Sequence, residues 1–262
     1  MRQYSIFHGL FLSFGSRSFY RDVAANWRGA AFVLLLLLAL LIALRIALLI
    51  NNGLSAFDKA HAPGYIRQLP TITVNDGKAS TPEAIPYLIT EPSSGRPVVM
   101  IDTTRDQPNL ESSRALIFLS RTRVAYRKDT GETRIYELSR FGDMVVTQEV
   151  AHEVVDFMAS WLGWILAPFI FIGVYIFKLI VALIFGIIGL LIGAMMKIQL
   201  PYDAMMALAI VTASPVVVVE FMAGLLSSGF NIPWLLAALI NLALLGYAVY
   251  ANREDENVNS EQ

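Results

Sequence analysis

Residues 157–197 read FMASWLGWILAPFIFIGVYIFKLIVALIFGIIGLLIGAMMK, and between the two ends the only charged side chain is Lys178. At a rise of about 1.5 Å per residue and a hydrocarbon core of about 30 Å, the stretch is too long for one upright crossing and barely long enough for two. Its middle carries no Asn, Asp or Gly-Pro turn signal. The 19 residues from Lys178 to Lys197 span about 28 Å of helix, one crossing flanked by lysines. Trp161, Trp164, Pro168 and Tyr175 give 157–177 the composition of an aromatic belt. The expectation is an outer-interface helix over 157–177, bent near Pro168, followed by a crossing over 178–197. The alternative makes 157–177 a full crossing, giving five spans and placing the acidic C-terminal tail outside.

The rest of the chain supports a membrane setting. It is 56% hydrophobic and 16% charged, with a mean hydropathy of +0.56, against about 25% charged for soluble domains. The apolar excess sits at 29–50 and 157–251, which excludes a soluble enzyme with one ordinary core. A net charge of −1 argues against nucleic acid as a partner. With no cysteine there is no disulfide, thiolate metal site or cysteine nucleophile. The fold class expected is an α-helical integral membrane protein with about four transmembrane helices and an extracytoplasmic β-rich insert.

The first span is 29–50, broken only by Arg45 and too long for a cleaved signal peptide. Arg2, Arg17, Arg21 and Arg28 outweigh Asp22 in residues 1–28, so the N-terminus is assigned to the cytoplasm. Tyr4, Phe7, Leu10, Phe11, Phe14, Phe19, Tyr20 and Trp27 recur among those arginines, as expected for an amphipathic helix on the inner membrane surface. Further spans are expected over 203–226, with Asp203 as N-cap, and 233–251, with Pro233 in its first turn. The tail, 252–262, carries four acids. Both termini are then cytoplasmic and the protein belongs to a bacterial inner membrane.

Residues 51–156 have a soluble composition, with 12 basic and 14 acidic side chains. Thr71-Ile72-Thr73-Val74 followed by Asn75-Asp76-Gly77-Lys78 signals a hairpin. Five more strand-like runs begin near Tyr87, Val98, Ala115, Val124 and Arg134, with a turn over Asp129-Thr130-Gly131-Glu132. About 100 residues are enough for an independent core.

Several motifs occur in an order that matters. They are Phe14-Gly15-Ser16-Arg17-Ser18-Phe19-Tyr20-Arg21-Asp22, Leu69-Pro70-Thr71-Ile72-Thr73-Val74-Asn75-Asp76-Gly77-Lys78, and Pro97-Val98-Val99-Met100-Ile101-Asp102-Thr103-Thr104. Lys197-Ile198-Gln199-Leu200-Pro201-Tyr202 and Thr212-Ala213-Ser214-Pro215 follow. This order resembles the DUF1189 family of bacterial membrane proteins, itself distantly similar to Yip1-type proteins. The resemblance implies an integral cytoplasmic-membrane protein with an extracytoplasmic β insert, and no particular reaction. Ser214 stands where the commoner pattern has a second proline, and the loop near Pro201 has fewer lysines.

Charges inside a membrane are costly and are therefore candidates for a site. Arg45 lies 17 residues beyond Arg28, Glu220 lies 17 beyond Asp203, and Lys178 is 19 from Lys197, each about 26–28 Å along its helix. Equal depth points to an ion-paired cluster of Arg45, Lys178 and Glu220 near the outer edge of the hydrocarbon, with Glu220 bridging one or both cations. Snorkelling with one structural salt bridge is the plainer explanation. Thr212, Ser214 and Pro215 predict a kink whose freed carbonyls near Val211 face a site or only serve packing. Gly186, Gly189 and Gly193 permit close helix contact, inside the bundle or with another copy. Asn241 is a candidate interhelical hydrogen-bond donor.

The signs of an enzyme are mostly missing. His8, His61 and His152 are scattered, and there is no G-x-S-x-G, P-loop or G-x-G-x-x-G. Asp102 suits a strand-end turn, and Arg121, Arg123, Arg127 and Lys128 suit a solvated strand face or an anionic head group. No catalytic residue, metal or cofactor is assigned. The expected partners are membrane lipids and a protein partner or a second copy. The leading reading is a non-enzymatic partner-binding or scaffold protein. The second is transport or lipid handling at Glu220.

Overall fold

Arg17 to Trp27 mixes aromatics at helical spacing with basic residues, and Ser16 caps its start by accepting from the Phe19 N–H. The computed structural model describes residues 2–108, 114–128, 132–226 and 230–253. Its N-terminal segment is not one helix. It comprises α1 (His8–Phe11), a single 3-10 turn, and α2 (Arg17–Asn26), with Gly15 at φ +155° between them. This corrects the single surface helix expected from the aromatic spacing. Phe19, Tyr20, Val23 and Trp27 are fully buried and join the main apolar core with Leu34, Leu38, Met205, Leu208, Leu245 and Val249. Phe7 and Phe11 stay 68% and 71% exposed.

α3 (Ala30–Ala60) follows, and then a short α4 (Ala62–Ile66). After the strands come α5 (Gln148–Met195), α6 (Tyr202–Thr212), α7 (Ser214–Leu226) and α8 (Trp234–Tyr250). Three helical rods, α3, α5 and α6 with α7, are long and apolar enough to cross a membrane, while α8 is shorter. A run with this little polarity can satisfy its backbone in lipid only as a helix.

α5 is one continuous helix of 48 residues with Pro168 inside it, about 72 Å long. The helix expected over 157–177 and the crossing expected from 178 are therefore one helix, with no boundary between residues 177 and 178. The turn that a five-span arrangement requires between them is absent as well. Proline forfeits one backbone bond, and the apolar side chains on both sides keep the helical geometry. Only 22% of the most apolar window of α5 is buried within the protein. The rest is an outward apolar face suited to lipid.

The kink foreseen around Pro215 is a break at Ala213 that divides the expected 203–226 helix into α6 and α7. Pro201, not Asp203, is the N-cap of α6. Asp203 instead pairs with Arg28, Oδ2 to Nε 2.8 Å. Likewise Pro233 sits at the N-cap of α8 rather than within its first turn.

The chain divides into two compact units, Met1–Leu49 with Gly163–Gln262, and Ile50–Leu162. In the first, contacts at the two ends fix the helix directions. The Arg28–Asp203 pair and the bond from Arg21 Nε to the Ala251 carbonyl (2.7 Å) gather the starts of α3 and α6 with the end of α8. Gly193 of α5 lies beside Ile198 and Met205, at the start of α6. At the opposite end, Arg45 donates to the Phe230 carbonyl and Glu220 accepts from the Ile232 N–H. The rods α3, α5, α6–α7 and α8 thus alternate in direction.

The described residues of the second unit form eight strands, against the six runs legible in the sequence: β1 (Ile72–Asn75), β2 (Lys78–Ser80), β3 (Tyr87–Thr90), β4 (Pro97–Asp102), β5 (Ile117–Ser120), β6 (Arg123–Arg127), β7 (Thr133–Glu137) and β8 (Met144–Val146). They form sheets of order β2-β1-β8 and β3-β4-β5-β6-β7, antiparallel except for the β4–β5 pair. The β1–β2 hairpin closes through Asp76 at φ 49° and Gly77 at φ 71°. This is the two-residue turn that Asn75-Asp76-Gly77-Lys78 encodes. A Cβ on Gly77 would lie 2.9 Å from the Ser139 Cα, so glycine is required twice over. Val74, Ala79, Ile89, Ile101 and Leu119, drawn from both sheets, form the core with Leu138 of the 3-10 turn after β7. Most of the turn expected at Asp129-Thr130-Gly131-Glu132 lies outside the described residues. The short β8 was not legible because a three-residue strand carries almost no periodicity.

Candidate functional site

Arg45, Lys178 and Glu220 come from α3, α5 and α7, and all three line one cavity of about 470 Å³. Arg45 and Glu220 form an ion pair, Nη1 to Oε2 3.8 Å, with side chains only 16% and 20% exposed. The pair does a second job. Arg45 Nη2 donates to the Phe230 carbonyl, and the other carboxylate oxygen of Glu220 accepts from the Ile232 N–H at 3.1 Å. Two charges from two helices thereby hold the backbone entering α8. Lys178 faces the same space without a hydrogen bond or ion pair of its own among the described residues. Glu220 therefore forms an ion pair with one cation of the expected cluster, and the second, Lys178, faces the same cavity within electrostatic reach of Glu220.

Gly224, one turn after Glu220, makes the pairing possible. A Cβ there would lie 2.7 Å from Arg45 Nε. That Nε is itself buried without a hydrogen-bond partner. The signal was present in the sequence as a small residue four positions from a membrane carboxylate, on the same helix face.

The remaining candidates lie away from that cavity. Thr212 donates to the Ala209 carbonyl at 3.1 Å, Ser214 Oγ is buried without a partner, and Pro215 is buried. None of the three lines the charged cavity. Gly186 meets Tyr202 and Met206, Gly189 meets Met205 and Leu245, and Gly193 meets the Ile198 carbonyl and Met205. The glycine stripe lets α6 approach α5 closely. Asn241 Oδ1 is buried without a hydrogen-bond partner among the described residues.

A polar cluster that sequence reading overlooked sits on Asp22. Its carboxylate accepts from the Gln3 and Tyr4 N–H groups, from Asn26 Nδ2 at 2.8 Å and from Trp27 Nε1 at 2.9 Å. Burial alone pushes this carboxyl up. The bonds from Gln3, Trp27, Asn26 and Tyr4 outweigh it and hold the group below the ordinary aspartate range. Arg2 stacks over the Trp27 ring at 5.5 Å. Burial, with the nearby Tyr247, raises the Tyr20 phenol, which donates to the Ser13 carbonyl. Arg17 and Arg21 both reach the Ala251 carbonyl at the C-cap of α8, where a cation complements the helix dipole.

In the strand unit, Asp102 accepts from Thr104 and pairs with Arg105 at 3.1 Å, pinning the start of the β4–β5 crossover. Arg121 pairs with Asp106, and Arg123 with Glu137. His8 bonds Ser5, His61 stacks on Phe57, and His152 lies on α5. The described residues contain no group of three metal-ligating side chains.

No curated protein and no solved structure matches the chain. The profile of one protein family matches residues 7–249, which takes in the charged cavity, the strand unit and Asp22 itself. By that match the chain belongs to the family described as "Protein of unknown function (DUF1189)".

Proposed function

We propose that the protein is a non-enzymatic integral protein of a bacterial cytoplasmic membrane whose helical bundle binds a small polar or amphiphilic ligand, in transport or lipid handling. Both termini lie in the cytoplasm and the strand unit outside. The observation that carries this reading is the convergence of Arg45, Lys178 and Glu220, from three helices, on one cavity of about 470 Å³. Small-molecule sites typically measure 300–1,000 Å³, with apolar walls and a few polar groups. Nine of its thirteen lining residues are aliphatic or Phe. Ionisable groups at membrane depth that face a cavity mark ligand and ion paths. The alternating rods support an even number of crossings, and the arginines of residues 1–28 support the orientation. The test is Glu220→Gln in the full chain. It abolishes function in a cell-based complementation assay while the protein still inserts and accumulates. An unchanged phenotype counts against the reading.

A partner-binding role for the strand unit is favoured by a different observation. Among the described residues β7 pairs with β6 alone, forms an edge of the five-stranded sheet, and every one of its residues is exposed. An open edge is a template for strand addition. If this is its use, a stoichiometric partner co-purifies with the intact protein and is lost when 60–150 are deleted.

A further inference from the structure

We infer that the bundle cavity is selective for an anionic amphiphile, a carboxylate or phosphate carrying an apolar chain, and that Lys178 is its counter-ion; this rests on the ligand-site reading above. Glu220 is already committed to Arg45 at 3.8 Å and to the Ile232 N–H at 3.1 Å. Arg45 is committed in turn to Glu220 and the Phe230 carbonyl. Two cations share one carboxylate, so the cavity carries a surplus positive charge; Arg45 holds the ion pair, and Lys178, attracted to Glu220 without contacting it, is the cation left only partly compensated. An uncompensated charge in an apolar setting is costly, and an anion in the cavity offsets it. A bare inorganic anion supplies charge but leaves the nine apolar lining residues against water. An amphiphile satisfies both chemistries. Its head group lies at Lys178, and its chain lies along walls that include Leu41, Ile46, Val174 and Phe221. Arg45 and Glu220 then position the wall near Phe230 rather than touch the head group.

The ligand chemistry is shared by fatty acids and anionic phospholipids, and the test separates them. The full-length protein is placed in nanodiscs of zwitterionic lipid. Binding of radiolabelled oleate, of spin-labelled phosphatidylglycerol and of inorganic phosphate is then measured, with dodecyltrimethylammonium as the cationic control. At least one anionic amphiphile binds, inorganic phosphate and the cation do not, and Lys178→Gln weakens binding about ten-fold or more. Oleate alone identifies a carboxylate source, and phosphatidylglycerol alone a phospholipid source. Lys178→Met, in the absence of ligand, raises the thermal unfolding midpoint because it removes an unpaired charge. Unchanged affinity in Lys178→Gln, or binding of the cation in preference to the anions, overturns the inference while leaving a bundle site in place. If Ile46→Trp, which fills the cavity, is folded and leaves all amphiphile binding unchanged, the site reading falls and the inference with it.

Discussion

At the scale of single residues, Asp22 shows how a hydrophobic chain uses one buried carboxylate. It ties Gln3, Tyr4, Asn26 and Trp27 together. Asp22→Ala strands the buried indole N–H and two backbone donors, and costs roughly 2–3 kcal/mol in detergent unfolding. Its native pKa lies below the ordinary value, about 3.9 in peptides. The unfolded state therefore binds the proton first as pH falls. The stabilisation is complete above the ordinary aspartate range and is lost as pH drops through the native value. Unfolding midpoints measured down the acid limb show this decline in the wild type, and Asp22→Asn flattens it. Gly224 makes a second residue-scale case. Gly224→Ala forces Arg45 from its place 2.7 Å from the new methyl, at about 1–3 kcal/mol. In an Arg45→Met background the same change costs less, and a double-mutant cycle reads the difference.

At the scale of elements, α5 ends in a hydrogen-bonded cap. The Ile198 N–H returns to the Gly193 carbonyl at 2.8 Å and the Lys197 N–H to the Ala194 carbonyl at 3.2 Å. This is the Schellman pattern. It places Lys197 at φ 57°, a conformation that favours glycine. Lys197→Gly relieves that strain, which costs roughly 1–2 kcal/mol for a residue with a Cβ, offset in part by the roughly 0.5–1 kcal/mol of extra chain freedom that glycine loses on folding. Gly193→Ala, four residues earlier, has the opposite sign. Its Cβ would lie 2.8 Å from the Ile198 carbonyl oxygen and 2.9 Å from Met205 Cε, so overpacking costs about 1–3 kcal/mol. Comparing thermal midpoints of the two variants tests the cap and the α5–α6 approach separately.

At the scale of the whole molecule, alternation of α3, α5, α6–α7 and α8 returns the chain to the end where it began. Arg17 and Arg21 reaching the Ala251 carbonyl express this directly. A reporter fused at Gln262 is therefore expected to read as cytoplasmic, matching one fused ahead of Met1. Opposite readings at the two ends would require an odd number of crossings. β1–β2 was legible because Asp76-Gly77 encodes its own turn. The fate of 157–197 was not, because a proline inside an apolar run permits either a bend or an uninterrupted helix.

The sequence by itself determined the class of the protein. Runs of twenty apolar residues have one stable form in lipid, and the shift to soluble composition over 51–156 marks a separate unit. It also singled out Arg45, Lys178 and Glu220, which stand out against their surroundings and line one cavity. Equal distance from flanking charges gave them a common depth, because helical rise is constant. Only the tertiary structure decided which cation Glu220 takes. Rotation of each helix about its axis depends on packing at positions such as Gly224 and the Gly186–Gly193 stripe. The same holds for the N-terminal aromatics. Spacing gives them an apolar face, but whether lipid or protein covers it is decided by the helices that α2 meets.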